Sequence, residues 1–288
     1  MGTSLENVMK VGIIGKGFVG GAMYECFRGK VDVEVYDTNE ERRTVDQLET
    51  LVNWADYLFV CVPTPMKDDS SCDTSIVENV VQQIASVRKD KIVVIKSTVP
   101  PGTTKRLAAE HGLNIAFNPE FLTEANAVND FRYQSLIVVG ADDEETLQKV
   151  WLMYHTYISA TGAYMPLMKS CKTDEAEMFK YLANCFLATK VIFANEIKRL
   201  CDATSINYDK VAELATFDSR LGATHWKVPG PDGKLGFGGS CFPKDTSALL
   251  AFAEQNAIQL WMLTEAVYIN DEIRESNYFK PLEVIDNK

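Results

Sequence analysis

The strongest constraint on this chain lies near its start, in Gly15-Lys16-Gly17-Phe18-Val19-Gly20, between an apolar run at 11–14 and a helix-forming stretch at 19–27. Glycines at this spacing suit one local shape, a strand, a tight turn and a helix packed hard against the strand. Gly15 permits the turn, Gly17 lets a pyrophosphate approach the backbone, and Gly20 lets the helix sit close to the strand. The free N–H groups of the helix start, around Phe18 and Val19, then face the phosphates. A second apolar run, 31–36, ends at Asp37, 22 residues after Gly15. A carboxylate there accepts both hydroxyls of an adenosine ribose and repels a 2′-phosphate, which favours NAD over NADP. Arg42, five residues on, reads either as packing along that ribose or as a solvated helix-surface arginine.

The pattern that follows supports a sheet of parallel strands. Short β-branched runs at 57–62, 92–95, 115–117 and 136–139 alternate with helical stretches at 74–87, 103–111 and 144–157. Strands separated by helices of this length imply an α/β doubly wound sheet covered on both faces. Beyond about residue 164 the pattern changes. Residues 173–204 read as one long helix, followed by shorter helices at 208–216, 244–256 and 260–276, with a Gly/Pro-rich loop at 228–239. The expectation is a nucleotide-binding Rossmann domain over 1–165 and a mainly helical central domain over 166–288.

Composition narrows the function. The chain has 29 Lys+Arg against 40 Asp+Glu, a net charge of −11. Such an acidic chain is a poor ligand for nucleic acid or an anionic membrane, and no apolar run reaches the length of a membrane span. The seven cysteines are irregularly spaced and lack C-x-x-C, so neither a disulfide framework nor a metal site is expected. We expect a reduced, cytoplasmic protein. The first residues, 1–8, are polar and read as no signal peptide; the opening Met1–Asn7 segment could be a non-native leader, with Met9 near the natural start.

Two loops follow strand ends, where open α/β sheets bind ligands. One carries Val62, Pro63 and Thr64, the other Ser97 and Thr98. The sharper signal is Gly236-Phe237-Gly238-Gly239-Ser240-Cys241-Phe242-Pro243-Lys244-Asp245, just ahead of an apolar helix. Three glycines bring backbone and substrate together, and a thiol at a helix N-terminus beside Lys244 is expected to have a lowered pKa, the condition for a nucleophilic cysteine. A dinucleotide site and a nucleophilic thiol on one chain suggest oxidation of an alcohol through a thiohemiacetal and a thioester to an acid.

Together, GKGFVG, CVPTP, KSTVPPGT, FNPEFLTEANA, EMFKYLANCFLATK and GFGGSCFPKD resemble the UDP-glucose/GDP-mannose dehydrogenase family, over about residues 10–275. GFGGS without an interposed Ala-Phe resembles the UDP-glucose 6-dehydrogenase branch more than the GDP-mannose one. The resemblance implies NAD as cofactor, with Glu124 and Lys244 joining the fingerprint residues, and a nucleotide sugar as substrate. It implies Cys241 as nucleophile, Lys180 and Asn184 as oxyanion stabilisers, Asp245 and Thr98 as groups positioning a water, and Glu120 as acid/base in thioester hydrolysis. Phe121, Leu122, Glu124, Phe237 and Gly238 would line the sugar site, and Arg220 would reach the substrate, across a subunit interface in one arrangement. Lys180, Lys244 and Arg220 would be the local cations for the anionic substrate. The family's usual third, nucleotide-binding domain has no counterpart in these 288 residues. Two other readings are a single-step dehydrogenase of the hydroxyacid or phosphogluconate kind with Lys180 as acid/base, and a relative that binds NAD but turns over weakly. The apolar positions Phe179, Leu182, Phe186 and Phe193 on the long helix lead us to expect a homodimer built on it.

Overall fold

Short runs of Val, Ile and Phe cannot bury both faces alone, and here they assemble edge to edge. The computed structural model describes residues 9–162 and 165–276. The strands are β1 (Lys10–Ile14), β2 (Asp32–Tyr36), β3 (Tyr57–Val60), β4 (Ile92–Ile95), β5 (Asn114–Phe117), β6 (Leu136–Gly140) and β7 (Leu167–Cys171). They form one sheet in the order β2-β1-β3-β4-β5-β6-β7. Every residue of β3 and β4 is buried, so neither strand alternates between polar and apolar positions, as a sheet covered on both faces requires. All neighbours run parallel except β5 and β6, which meet antiparallel at Phe117 and Gly140.

Helices α1 (Phe18–Phe27), α2 (Leu48–Trp54), α3 (Ser75–Val87), α4 (Thr103–His111), α5 (Ala127–Arg132) and α6 (Glu144–Thr161) cover the sheet. One core joins Met23, Phe27, Phe131, Tyr154 and Tyr157 to the strands. Phe27 and Tyr157 meet edge to face with centroids 4.6 Å apart, a geometry that adds to plain burial. The opposite core holds Leu51, Val81, Ile84 and Leu107. The parallel order reverses direction between β1 and β3, which places the fingerprint turn at a switch point of the sheet.

The chain divides into two compact units, one of residues 9–65 with 72–180 and one of 66–71 with 181–276 among the described residues. The second unit contains most of α7 (Thr173–Ala203), then α8 (Tyr208–Phe217), α9 (Cys241–Gln255) and α10 (Trp261–Ser276). Its core gathers Ala188, Ile192, Phe237, Ala266 and Ile273.

The expected break after residue 165 therefore differs from the observed division. β7 adds a seventh strand to the sheet, and the first turns of α7 pack with it. β7 is an edge strand with no fully buried residue, so Leu167-Met-Lys-Ser-Cys171 carries no apolar run to reveal it. α2 escapes notice because its seven residues are too few to establish a helical period. Phe179 also departs from expectation. It is half-buried against the sheet unit, its ring 5.5 Å from that of Phe121. Leu182, Phe186, Phe193 and Leu200 stay 53–64% exposed, so the open apolar stripe of α7 starts one turn later than expected. Among the described residues no helix is long and apolar enough to cross a membrane.

Candidate active site

The fingerprint turn is built as its glycines require. Gly15 has φ +92°, and a Cβ on it would lie 2.6 Å from the Cys61 carbonyl oxygen. A Cβ on Gly20 would lie 1.9 Å from the Gly15 oxygen, whereas one on Gly17 would meet nothing within 4 Å. So Gly15 and Gly20 serve chain packing, and Gly17 leaves open space at the start of α1. The N-cap, Gly17, has no side chain to engage the first N–H groups of α1, which leaves them to a ligand. An open cleft of about 540 Å³ runs from this turn and is bordered by Lys16, Gly17, Phe18, Arg42, Glu124 and Asn126. Arg42 thus borders the cleft. Phe18 and Val19 are half-buried in the first turn of α1.

Asp37 is more engaged than the sequence suggested. Its carboxylate accepts from Lys16 N at 2.6 Å and from Asn39 N at 2.8 Å, tying the end of β2 to the fingerprint turn. Each oxygen keeps a further lone pair for a hydroxyl. The loops after β3 and β4 are also joined, because the Ser97 hydroxyl donates to the Val62 carbonyl at 2.7 Å. Thr64, Ser97 and Thr98 are buried and Pro63 is exposed. These residues fit a dinucleotide, with tight turn packing at Gly15 and Gly20 and open space at Gly17 beside the unpaired helix start.

Beyond β5 the chain places Glu120 against α7. Lys180 donates to the Glu120 carboxylate at 2.9 Å and to its carbonyl at 2.6 Å, and both side chains are buried. The other Glu120 oxygen accepts from Leu122 N at 2.8 Å. The Lys180 ammonium lies 5.4 Å from the centre of the Phe121 ring, a cation–π distance. Lys180 is thus a buried, paired lysine and not one on the exposed face of α7. Glu177, one turn earlier, is fully buried and accepts from Gly102 N at 2.6 Å and Thr104 N at 2.8 Å, capping α4. Burial pushes its carboxyl up to about 7.

In the second unit the glycine-rich loop ends at Ser240, and α9 begins at Cys241 itself, three residues earlier than expected. The half-buried Cys241 therefore occupies the first position of the helix, with the Ser240 hydroxyl 3.7 Å from its sulfur. Pro243 is accommodated in the first turn because a helix leaves its first N–H groups unpaired. Asn184 donates to Asp245 at 2.5 Å, both side chains being buried. The Lys244 ammonium bonds to the other Asp245 oxygen. Buried amides hold the glycine loop, with the Asn195 carbonyl accepting from Gly236 N at 3.1 Å and that of Asn270 from Phe237 N at 2.7 Å. At Gly238 a Cβ would lie 2.6 Å from the Arg274 guanidinium, which would have to shift to admit it.

Each expected cation already holds a carboxylate. Lys180 pairs with Glu120, Lys244 with Asp245, and the exposed Arg220 with Asp218 at 2.6 Å. The substrate charge thus cannot draw on three free cations, because each of these pairs is close to neutral. Phe121 is 38% exposed beside Lys180, and Leu122 is half-buried. Sequence reasoning missed Glu177, Asn195, Asn270 and the buried Lys96. Glu177, Asn195 and Asn270 lie among other polar residues of helices and Lys96 ends an apolar strand run, so no spacing pattern marks any of them. Among the described residues no group of three or more His, Cys, Asp or Glu is placed to hold a metal ion.

Comparison with known proteins gives this geometry a family. The model of the UDP-glucose/GDP-mannose dehydrogenase family matches its NAD-binding domain to residues 44–158 and its central domain to residues 174–272. The chain is 32% identical to the UDP-glucose 6-dehydrogenase AglM of Haloferax volcanii over 91% of its own length and 70% of that protein. It is 34% identical to the UDP-glucose 6-dehydrogenase YwqF of Bacillus subtilis, over 75% of its length but only 49% of that protein. The solved structure of a UDP-glucose dehydrogenase from Pyrobaculum islandicum superimposes with a TM-score of 0.82 at 29% identity, covering 96% of this chain and 71% of that one. The chain thus spans about half to seven tenths of the length of these relatives. The buried Lys180–Glu120 pair and the cysteine that opens α9 fall within the matched residues, and the chain belongs to the UDP-glucose/GDP-mannose dehydrogenase family, with NAD as the cofactor of its N-terminal domain.

Proposed function

We propose that this chain carries the chemistry of an NAD-dependent UDP-glucose 6-dehydrogenase, oxidising the primary alcohol of the nucleotide sugar to a carboxylate. The observation that carries this reading is a half-buried thiol at the first position of α9, next to the buried Asn184–Asp245 pair. A one-step alcohol oxidation needs no thiol. NAD bound in the cleft supplies a hydride acceptor. The chain supplies the rest.

The aldehyde formed by the first oxidation is attacked by the Cys241 sulfur. The helix start of α9 directs N–H groups toward the negative charge that develops, and the Lys180 ammonium, one turn from Asn184 on α7, serves the oxyanion. The second oxidation turns the thiohemiacetal into a thioester. Water then attacks, with Glu120 taking its proton, and the thiol returns to Cys241 as the acid leaves. Overall, one alcohol, one water and two NAD+ yield one carboxylate, two NADH and three protons.

Stoichiometry tests the reading. With UDP-glucose limiting and NAD in excess, two NADH are expected per UDP-glucose consumed, followed by absorbance. One NADH per substrate would favour a single-step hydroxyacid-type reaction, and none with any nucleotide sugar would favour a chain that only binds NAD.

We also propose that two copies associate through α7. Leu182, Phe186 and Phe193 present an exposed apolar stripe at helical spacing, and a twofold contact is the commonest way to cover such a face. Light scattering at micromolar concentration is expected to report a dimer, and Phe186→Glu a monomer. A monomeric parent protein would sink the proposal.

A further inference from the structure

Lys96 ends β4 and is 4% exposed, yet its ammonium bonds to no carboxylate. It donates to the Asn118 side-chain oxygen at 2.7 Å and lies 3.3 Å from the Asn118 carbonyl. Asn118 is held by further buried groups. Its side-chain oxygen also accepts from the Tyr154 hydroxyl at 2.5 Å, and its amide donates to the Val138 carbonyl at 2.6 Å. The segment Asn118-Pro119-Glu120 is therefore gripped at both ends by buried ammonium groups, by Lys96 at Asn118 and by Lys180 at Glu120.

An uncompensated buried ammonium is expensive to keep in a fold, and an aliphatic residue could fill its space. Function is the simplest reason to retain it. Burial lowers the Lys96 pKa to about 8. The groups that act on it are Cys61 at the end of β3, Glu120 beyond β5 and Lys180 on α7, with the Phe131 ring of α5 at 6.0 Å. Of these, Cys61 and Glu120 favour the ammonium and Lys180 opposes it.

We infer that Lys96 is a positioning residue of the Glu120–Lys180 centre, fixing the Asn118–Glu120 turn through Asn118 so that the Glu120 carboxylate meets its substrate water in one orientation. The inference rests on the role proposed above for Glu120. Lys96 touches neither substrate nor cofactor in this account and acts through Asn118.

Lys96→Met separates this role from packing, because it keeps the stem and removes the charge and the donors. Turnover with NAD and UDP-glucose is expected to fall at least 10-fold, with KM for either within about 3-fold. A second readout needs no turnover. The native pKa lies below the value of about 10.4 for an unfolded lysine, so folding is penalised in full below pH 8 and the penalty is relieved as pH rises toward the unfolded value. The Tm of the parent protein relative to that of Lys96→Met is therefore expected to rise between pH 7 and pH 10. If Lys96→Met fails to fold, Lys96→Gln, which keeps a donor toward Asn118 without charge, is read for the same Tm difference.

A folded variant with turnover within 2-fold of the parent overturns the positioning role, and a Tm difference that stays flat over this range overturns the buried ammonium on which it depends. A parent protein that makes no NADH counts against the proposed reaction instead, and leaves the Tm comparison to decide on Lys96.

Discussion

Replacing Cys241 by Ser is expected to stop acid formation, with NAD binding unchanged. The thiol occupies the first position of α9, where the helix start stabilises a thiolate. A serine hydroxyl in the same place keeps the volume and the hydrogen-bonding capacity. It is far harder to ionise, however. The first oxidation does not need the sulfur. The variant is therefore expected to lose the second oxidation, and the NADH yield per UDP-glucose should fall from two to at most one. A loss in acid production on the order of 10³-fold or more follows from removing a covalent nucleophile. Acid measured by mass spectrometry, with NAD affinity by titration, checks both halves. Wild-type acid production by the serine variant would show that the covalent thiol route is wrong.

Lys180→Met is expected to damage both stability and turnover. The ammonium makes two contacts with Glu120, to its carboxylate and to its carbonyl, and both side chains are within a few per cent of full burial. Removing the lysine leaves a carboxylate buried without its cation, a change that costs about 3–5 kcal/mol in comparable pairs. Glu120→Gln combined with Lys180→Met should recover part of that loss, because the uncompensated charge then disappears. A double-mutant cycle by urea denaturation reads the coupling. The catalytic effect differs in kind. Turnover should fall by about 10²–10⁴-fold in the single variant, the range for losing a positioned proton-handling group, and the double variant should not recover it. A double variant that regained activity together with stability would reduce Lys180 to a structural ion pair.

The exposed and buried lysines of this chain show why residue type alone is a weak guide. Lys180 and Lys96 sit in stretches where sequence offers a helix face and a strand end. Only their burial, at 3% and 4% exposure, and the Glu120 and Asn118 groups they meet distinguish them from surface lysines. Arg220, by contrast, was expected to reach the substrate, and its guanidinium is exposed and held by Asp218 within its own loop.

Local pattern carried a great deal. The fingerprint glycines, the alternation of strands and helices and the glycine-rich loop before Cys241 are signals within a few residues of one another, and each reflects a local steric or periodic requirement. The family followed from such motifs in order. What sequence could not supply were the groups that meet across long separations. β7 joins the sheet as an edge strand without an apolar run. Glu177 caps a helix more than 70 residues earlier in the chain. Lys96 shares Asn118 with Tyr154, 36 residues beyond it. Periodicity reports which face of an element is apolar, whereas a buried ion pair depends on which two elements the whole fold brings together. The sequence by itself thus determined the sheet class, the dinucleotide turn and the candidate nucleophile, because each is a short-range steric or chemical requirement. The tertiary structure alone decided how the charges are paired, because burial and partnership arise only when distant segments pack.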